Sequence, residues 1–253
     1  MSRLSKFFLV AGIMAVSAVN AATPVVLVEH QGKYQGYFDQ PRLGLVVTQL
    51  NTSASLYWPA ARLFKTDTET KLKLDQQRQH LLSQLAQLRR EFQQDEELQL
   101  AASVEKLEKD ISAWELAGNM NLPLDPDRVR VKKSLNPLLS KGQYKIIVNT
   151  RPIELTVEGL AVEQMTPLLN AVPVDTYLDI VSILEGGSRS FVYILPASGG
   201  FQIAKTGLWN NSYQEVSPGT VLFIPFEQRN LPGAFSDINE QIVELLLHKV
   251  VAQ

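Results

Sequence analysis

The chain has 253 residues, 45% of them hydrophobic and 20% charged, with a formal net charge of −2. That composition belongs to a globular protein of one or two domains and excludes a disordered tail, a fibre, a polytopic membrane protein and broad contact with nucleic acid phosphates. Cysteine is absent and only His30, His80 and His248 occur, so disulfide scaffolds, Cys-based zinc sites and thiol nucleophiles fall away, and no cofactor or metal is expected.

Residues 1–21 read as a signal peptide. Arg3 and Lys6 form a positive n-region, Phe7 to Ala18 is an apolar run too short for a typical bilayer span, and Val19-Asn20-Ala21 offers a small-residue cleavage site. The alternative is an uncleaved anchor. No cysteine follows the run, so a lipoprotein is not expected. Cleavage leaves 22 bases against 26 acids, a net charge of −4, on an exported protein.

Residues 24–64 predict a small mixed unit. Pro24 to Val28 and the stretch through Tyr34, Tyr37 and Phe38 suggest a hairpin, Pro41 to Leu50 a short helix, and Tyr57-Trp58-Pro59 its end. From there to Gly118 neither Gly nor Pro occurs, and 11 of the 26 acids lie within Thr66–Ala117. Such sequence is helical. Leu81, Leu85, Leu88 and Phe92 step by four, three and four; Leu100, Val104, Leu107, Ile111 and Trp114 continue that alternation. Asp95, Glu96 and Gln99 fall where a single seam would need apolar residues, so two antiparallel helices are expected. Asp95-Glu96-Glu97 is assigned to the first turn of the second, at the positive end of its dipole. The hairpin is expected to be autonomous, its seams facing each other; a hairpin that also docks a partner is the alternative.

Beyond Gly118 the pattern turns β-like, with Val129-Arg130-Val131 alternating and Tyr144 to Val148 a strand; these complete the first unit around the inserted hairpin. A second unit follows. Ile153, Leu155 and Val157 mark a half-buried strand, Val174–Leu184 an amphipathic helix, Phe191–Leu195 and Phe201–Ala204 a hairpin, and Val221–Pro225 a last strand. Ser236–Val251 predicts a closing amphipathic helix, with Asp237 and Glu240 at capping-box spacing. Its apolar arc of roughly 200° is wide for one docking surface. At about 24 Å it is short of the ~30 Å hydrocarbon core, so packing on the second unit is expected and stable membrane insertion is not.

Motifs for a nucleophile elbow, a zinc protease, a phosphate loop or a dinucleotide site are absent. Asp125-Pro126-Asp127 sets two carboxylates two residues apart, a spacing open to a shared proton, a divalent cation or glycosidic chemistry but also a strong turn signal. Trp58, Trp209 and Tyr213 sit beside turn or polar residues. With Asn210 and Asn211, Trp209 offers an aromatic face and amides to a sugar, while core packing is the competing reading for each.

Several pieces together resemble the GfcC family of periplasmic capsule-polysaccharide proteins: Trp58-Pro59-Ala60; Leu124-Asp125-Pro126-Asp127 with Val129-Arg130-Val131; Asn136-Pro137 with Gly142 and Tyr144; Trp209-Asn210; Pro218-Gly219; and Asp237-Ile238-Asn239 with Gln241-Ile242-Val243. The resemblance implies an α+β fold of two tandem β-grasp domains, related to the soluble-ligand-binding (SLBB) β-grasp domains of outer-membrane exporters. It implies a helical hairpin at 66–117 within the first domain (22–150), a second domain (151–235) and a C-terminal amphipathic helix (236–253). It also implies a non-enzymatic role in group 4 (O-antigen) capsule or exopolysaccharide assembly, with surface polysaccharide or outer-membrane export components as partners. Site residues follow as Trp58, Asn119, Asp125, Asp127, Arg130, Trp209, Asn210 and Tyr213. Two departures matter. The family's Gly-Arg after the second long helix is Gly118-Asn119 here, and its basic W-N-K-R-H run is Trp209-Asn210-Asn211-Ser212-Tyr213. Both remove positive charge that an acidic saccharide would need. A tripartite-system periplasmic adaptor, which also joins β domains to a helical hairpin, is the competing reading; a glycan hydrolase using Asp125 and Asp127 is the third.

Overall fold

The computed structural model describes residues 23–50, 55–207 and 213–251; the expected signal peptide lies outside them. The first unit opens on β1 (Val26–His30) and β2 (Lys33–Tyr37), an antiparallel pair closed by Gln31-Gly32. Both turn residues are left-handed (φ 50° and 74°), the backbone that matches the twist of a two-residue hairpin. Helix α1 (Leu43–Leu50) buries Leu43, Val46 and Val47. After a 3₁₀ turn at Trp58–Ala60 come β3 (Arg62–Lys65), the two long helices α2 (Thr68–Gln94) and α3 (Leu98–Ala113), β4 (Gly118–Asn119), α4 (Pro126–Val131) and β5 (Gly142–Ile147). The second unit is β6 (Glu154–Gly159), β7 (Met165–Pro167), α5 (Asp175–Ile180), β8 (Phe191–Leu195), β9 (Gln202–Lys205) and β10 (Val221–Ile224), followed by α6 (Ile238–Leu246).

Each unit carries a five-stranded mixed sheet, and the two have the same order: β2-β1-β5-β3-β4 and β7-β6-β10-β8-β9. In both, the first and last strands run parallel side by side and every other neighbour is antiparallel. The long helices therefore occupy the connection between third and fourth strands. In the second unit a short turn through Pro196–Gly200 does the same job.

The seams are as expected. Leu81, Leu85, Leu88, Phe92, Val104, Leu107, Ile111 and Trp114 are all buried. The hairpin is not autonomous, however: its seam residues belong to one continuous core with Leu155, Val157, Tyr193, Phe223 and the apolar face of α6. Near the tip the second unit comes so close to α3 that a Cβ added to Gly186 would lie 2.5 Å from Leu100 Cδ2, and the left-handed backbone of Gly186 (φ 82°) favours glycine there. Midway, Lys106 Nζ donates to the Ala161 carbonyl, and Gln164 Nε2 to Asp110 Oδ1 at 3.2 Å. The helices lie along the second unit because their seams alone do not use up their apolar surface.

Several local expectations are corrected. Asp95, Glu96 and Glu97 form the reversal itself, with Glu96 at φ 62°, and α3 starts at Leu98. Val129-Arg130-Val131 is helical, because Asp125 Oδ1 caps α4 by accepting from Asp127 N at 2.9 Å and Arg128 N at 3.1 Å, and Pro126 supplies a preset φ at the first helical position. Ile153 lies outside β6 and is 80% exposed. The helix expected over Val174–Leu184 is only α5, and the short strands β3 and β7 carry no periodicity long enough to read.

The closing helix is shorter than 236–251 and has no capping box. Asp237 Oδ2 accepts from Gln241 Nε2, and Glu240 Oε1 accepts from the Tyr193 hydroxyl at 2.9 Å. After α6 the chain extends along the first unit: Ala117 N donates to His248 O at 3.0 Å and Val250 N to Glu115 O at 2.8 Å. The wide apolar arc is thus divided between the second sheet and the hairpin. Among the described residues no helix is long and apolar enough to cross a membrane.

Candidate functional site

A cleft of about 260 Å³ opens where the two units meet. Trp58 and Pro59 form one wall from the 3₁₀ turn, Leu124, Asp125 and Arg128 another from the start of α4, and Pro196–Ser198 with Ser217 and Pro218 close it from the second unit. Trp58 is held there because it also belongs to the first unit's core, beside Leu63, Val129 and Ile146. Rigid walls follow from the junction. The guanidinium of Arg62, only 5% exposed, donates to the Gly219 carbonyl at 3.0 Å, and its burial pulls its pKa down to about 10. Gly199 of the β8–β9 turn stands directly against Asn121 of the first unit.

Two of the expected site residues, Trp58 and Asp125, come together in this cleft. Asp127 does not. It points to solvent and meets Arg130 Nη2 at 3.4 Å, with side chains 88% and 79% exposed. The two carboxylates of Asp125-Pro126-Asp127 are therefore engaged separately, one capping a helix and one in a solvent-screened pair. Replacing Asp125 with alanine should lower stability by about 1 kcal/mol through the lost cap. The same change at Asp127 should leave the thermal midpoint unmoved, since exposed pairs contribute little; parallel melts of the two variants are the check.

Asn119 lies on β4, the edge strand of the first sheet, and is committed to the chain after α6. Its Nδ2 donates to Leu247 O at 2.9 Å, its backbone N–H to His248 Nδ1 at 3.1 Å, and its Oδ1 accepts from Asn121 N at 3.0 Å. Burial lowers the pKa of His248, which favours the neutral ring that this acceptor role requires. Tyr213 is exposed, its hydroxyl donating to Glu215 at 2.6 Å. Trp209 and Asn210 lie outside the described residues.

Sequence reasoning missed Arg128. Taken as a strand, the segment puts residue 128 nowhere in particular; as a helix beginning at Pro126, it puts 125 and 128 three apart on one face. The Asp-Pro signature of a helix start was the available signal. Ser198 and Ser217 had none, since each is brought to the cleft only by the packing of one unit on the other.

Two family models match the chain: capsule biosynthesis GfcC, N-terminal, over residues 21–151, and capsule biosynthesis GfcC C-terminal, over residues 163–251. A relative, the uncharacterized protein YjbG of Escherichia coli (strain K12), is 29% identical over 198 residues, which is 78% of each chain.

Proposed function

Because this chain belongs to the GfcC capsule biosynthesis family, we propose that it is a non-enzymatic periplasmic accessory of capsule or exopolysaccharide assembly or export. It binds glycan or an export-machinery partner after removal of a signal peptide at residues 1–21. The observation that carries the reading is the match of both halves of the chain to capsule biosynthesis domains. The shared strand order of the two sheets, with first and last strands parallel at the centre, supports taking 22–150 and 151–235 as tandem β-grasp domains of the SLBB kind, with 236–253 as a closing segment. In this reading the cleft at Trp58, Asp125 and Arg128 is the recognition surface. Asn119, Asp127, Arg130, Trp209, Asn210 and Tyr213 serve surrounding contacts to glycan or partner. The hairpin lying along the second unit favours this role over that of an adaptor, whose hairpin would have to project.

Deleting the gene in its own bacterium should lower the surface polysaccharide recovered by extraction, and the wild-type gene should restore it. The restored protein should be released by osmotic shock with its N-terminus at Ala22. Arg128→Glu, at an exposed position compatible with folding, should restore poorly. Unchanged surface polysaccharide on deletion would remove the capsule role, and full restoration by Arg128→Glu would remove the cleft from it.

A further inference from the structure

A second groove, of about 340 Å³, lies between the first sheet and the base of the hairpin. Strand register builds its floor. Tyr34 pairs with Glu29, Glu29 with Lys145, Lys145 with Phe64 and Phe64 with Asn119, so one row of side chains crosses all five strands on a single face, and its Tyr34, Glu29 and Lys145 line the groove. The opposite face carries the first unit's core, with Val26, Val28, Leu63, Tyr144 and Ile146. The row's face is instead overhung by the first turns of α2, with Lys71, Asp75 and Arg78, and by the segment Trp114–Ala117 that leaves α3.

The lining is balanced in charge, with Lys71, Arg78 and Lys145 against Glu29, Asp75 and Glu115. The carboxylates are engaged within the groove: Asp75 by Arg78, Glu115 by Lys145 at 3.2 Å, and Glu29 by Lys145 at 3.9 Å. Arg78 also donates to the Trp114 carbonyl at 2.9 Å. Two groups are left over. They are the Tyr34 side chain, 70% exposed at the groove's mouth, and the exposed Lys71 ammonium, which makes no ion pair among the described residues; Trp114, only 4% exposed, backs the wall.

We propose that this groove binds a neutral, hydroxyl-rich oligosaccharide, with Tyr34 against a sugar face and the walls of ion pairs and Gln143 bonding its hydroxyls. A hydroxyl both donates and accepts, so it can bridge ammonium and carboxylate edges that alternate along one wall. A polyanion would meet three carboxylates and a polycation three fixed positive charges. The volume falls in the ~300–1,000 Å³ range of small-molecule clefts. This proposal rests on the glycan-binding arm of the function above but places the saccharide in a different groove and fixes its charge class.

The test uses protein expressed from the full sequence, titrated by calorimetry with maltohexaose, chitohexaose and a galactan hexasaccharide as neutral probes and hexagalacturonate as the acidic one. Indole N–H resonances are followed by NMR, with Trp58→Phe and Trp209→Phe leaving that of Trp114 by elimination. At least one neutral probe should bind and shift the Trp114 indole signal. Tyr34→Ala and Lys71→Glu, both at exposed positions, should each weaken it at least fivefold, and Lys133→Glu, exposed and outside both grooves, less than twofold. Binding that Arg128→Glu weakens and Tyr34→Ala leaves intact would overturn the groove and keep the glycan function. Tighter binding of hexagalacturonate would overturn the charge class. Failure of every neutral probe to bind would overturn the proposal, while loss of surface polysaccharide on gene deletion would still uphold the capsule role.

Discussion

Replacing Leu88 with alanine should cost about 2–5 kcal/mol, the range for truncating a buried leucine whose surroundings relax only partly. Leu88 is fully buried in the α2 seam, within a core shared by both long helices, the second sheet and α6. The loss should therefore appear in one cooperative transition. Urea unfolding followed by far-ultraviolet circular dichroism, which reports mainly the long helices, and by tryptophan fluorescence should give coincident midpoints, both displaced by the substitution. An early helical transition that leaves the fluorescence midpoint where it was would mean that the hairpin unfolds alone and its docking on the second unit is weak. A loss under about 0.5 kcal/mol would place Leu88 outside the packed seam.

Lys249→Met should be comparably damaging, at about 3–5 kcal/mol near pH 8, because it strands a buried carboxylate. Glu158 is 4% exposed and pairs with the ammonium of Lys249, which also lies 5.4 Å from the centre of the Trp114 ring. That pair joins the chain after α6 to β6 beneath the base of the hairpin. Burial raises the Glu158 pKa above its ordinary 4.5, with the charge of Lys249 pulling the other way. A carboxyl raised on folding binds its proton more tightly in the native state. Its contribution is therefore full below 4.5 and is lost as the pH climbs through the folded value. Removing Lys249 lifts that folded value further, so the deficit of the variant against wild type should shrink on going from pH 8 to pH 5. Glu158→Gln combined with Lys249→Met removes the stranded charge and should recover most of the loss at pH 8. Equal deficits at the two pH values, or a double variant no better than the single one, would show that the ion pair does not govern this junction.

The two substitutions probe features of different legibility. Leu88 announces itself: four- and three-residue steps repeat along a stretch without Gly or Pro, and neighbours in the sequence are neighbours on the helix face. The break at Asp95–Glu97 was legible for the same reason, although those acids serve as the turn and not as the first turn of α3. Glu158 and Lys249 stand 91 residues apart, and nothing near either one hints at the other. The first alternating strand of the second unit gave away Leu155 and Val157, but it gave no sign that Glu158, next in line, is buried.

The candidate sites divide in the same way. Trp58 and Asp125 could be singled out from residue type and motif, while their meeting in one cleft depends on Arg62 reaching Gly219 and on Gly199 packing against Asn121. Arg128 needed only the right local conformation, since the Asp-Pro start of α4 fixes the face on which it lies. The row from Tyr34 to Asn119 needed the register of four strand pairings, each joining segments between 5 and 116 residues apart.

By itself, then, the sequence determined the helical hairpin, its two seams, the β-hairpins, the order of an α+β pattern met twice and the polar–aromatic stretches shared with a capsule family. Each is set by side chains within a few residues of one another, where periodicity, caps and turn residues act. Only the tertiary structure decided the common strand order, the laying of the hairpin on the second unit, the return of the last residues to the first, and the two grooves. A short strand such as β3 gains its stability from β4 and β5, which are remote in sequence, and a helix with apolar surface beyond its seam does not state what will cover it.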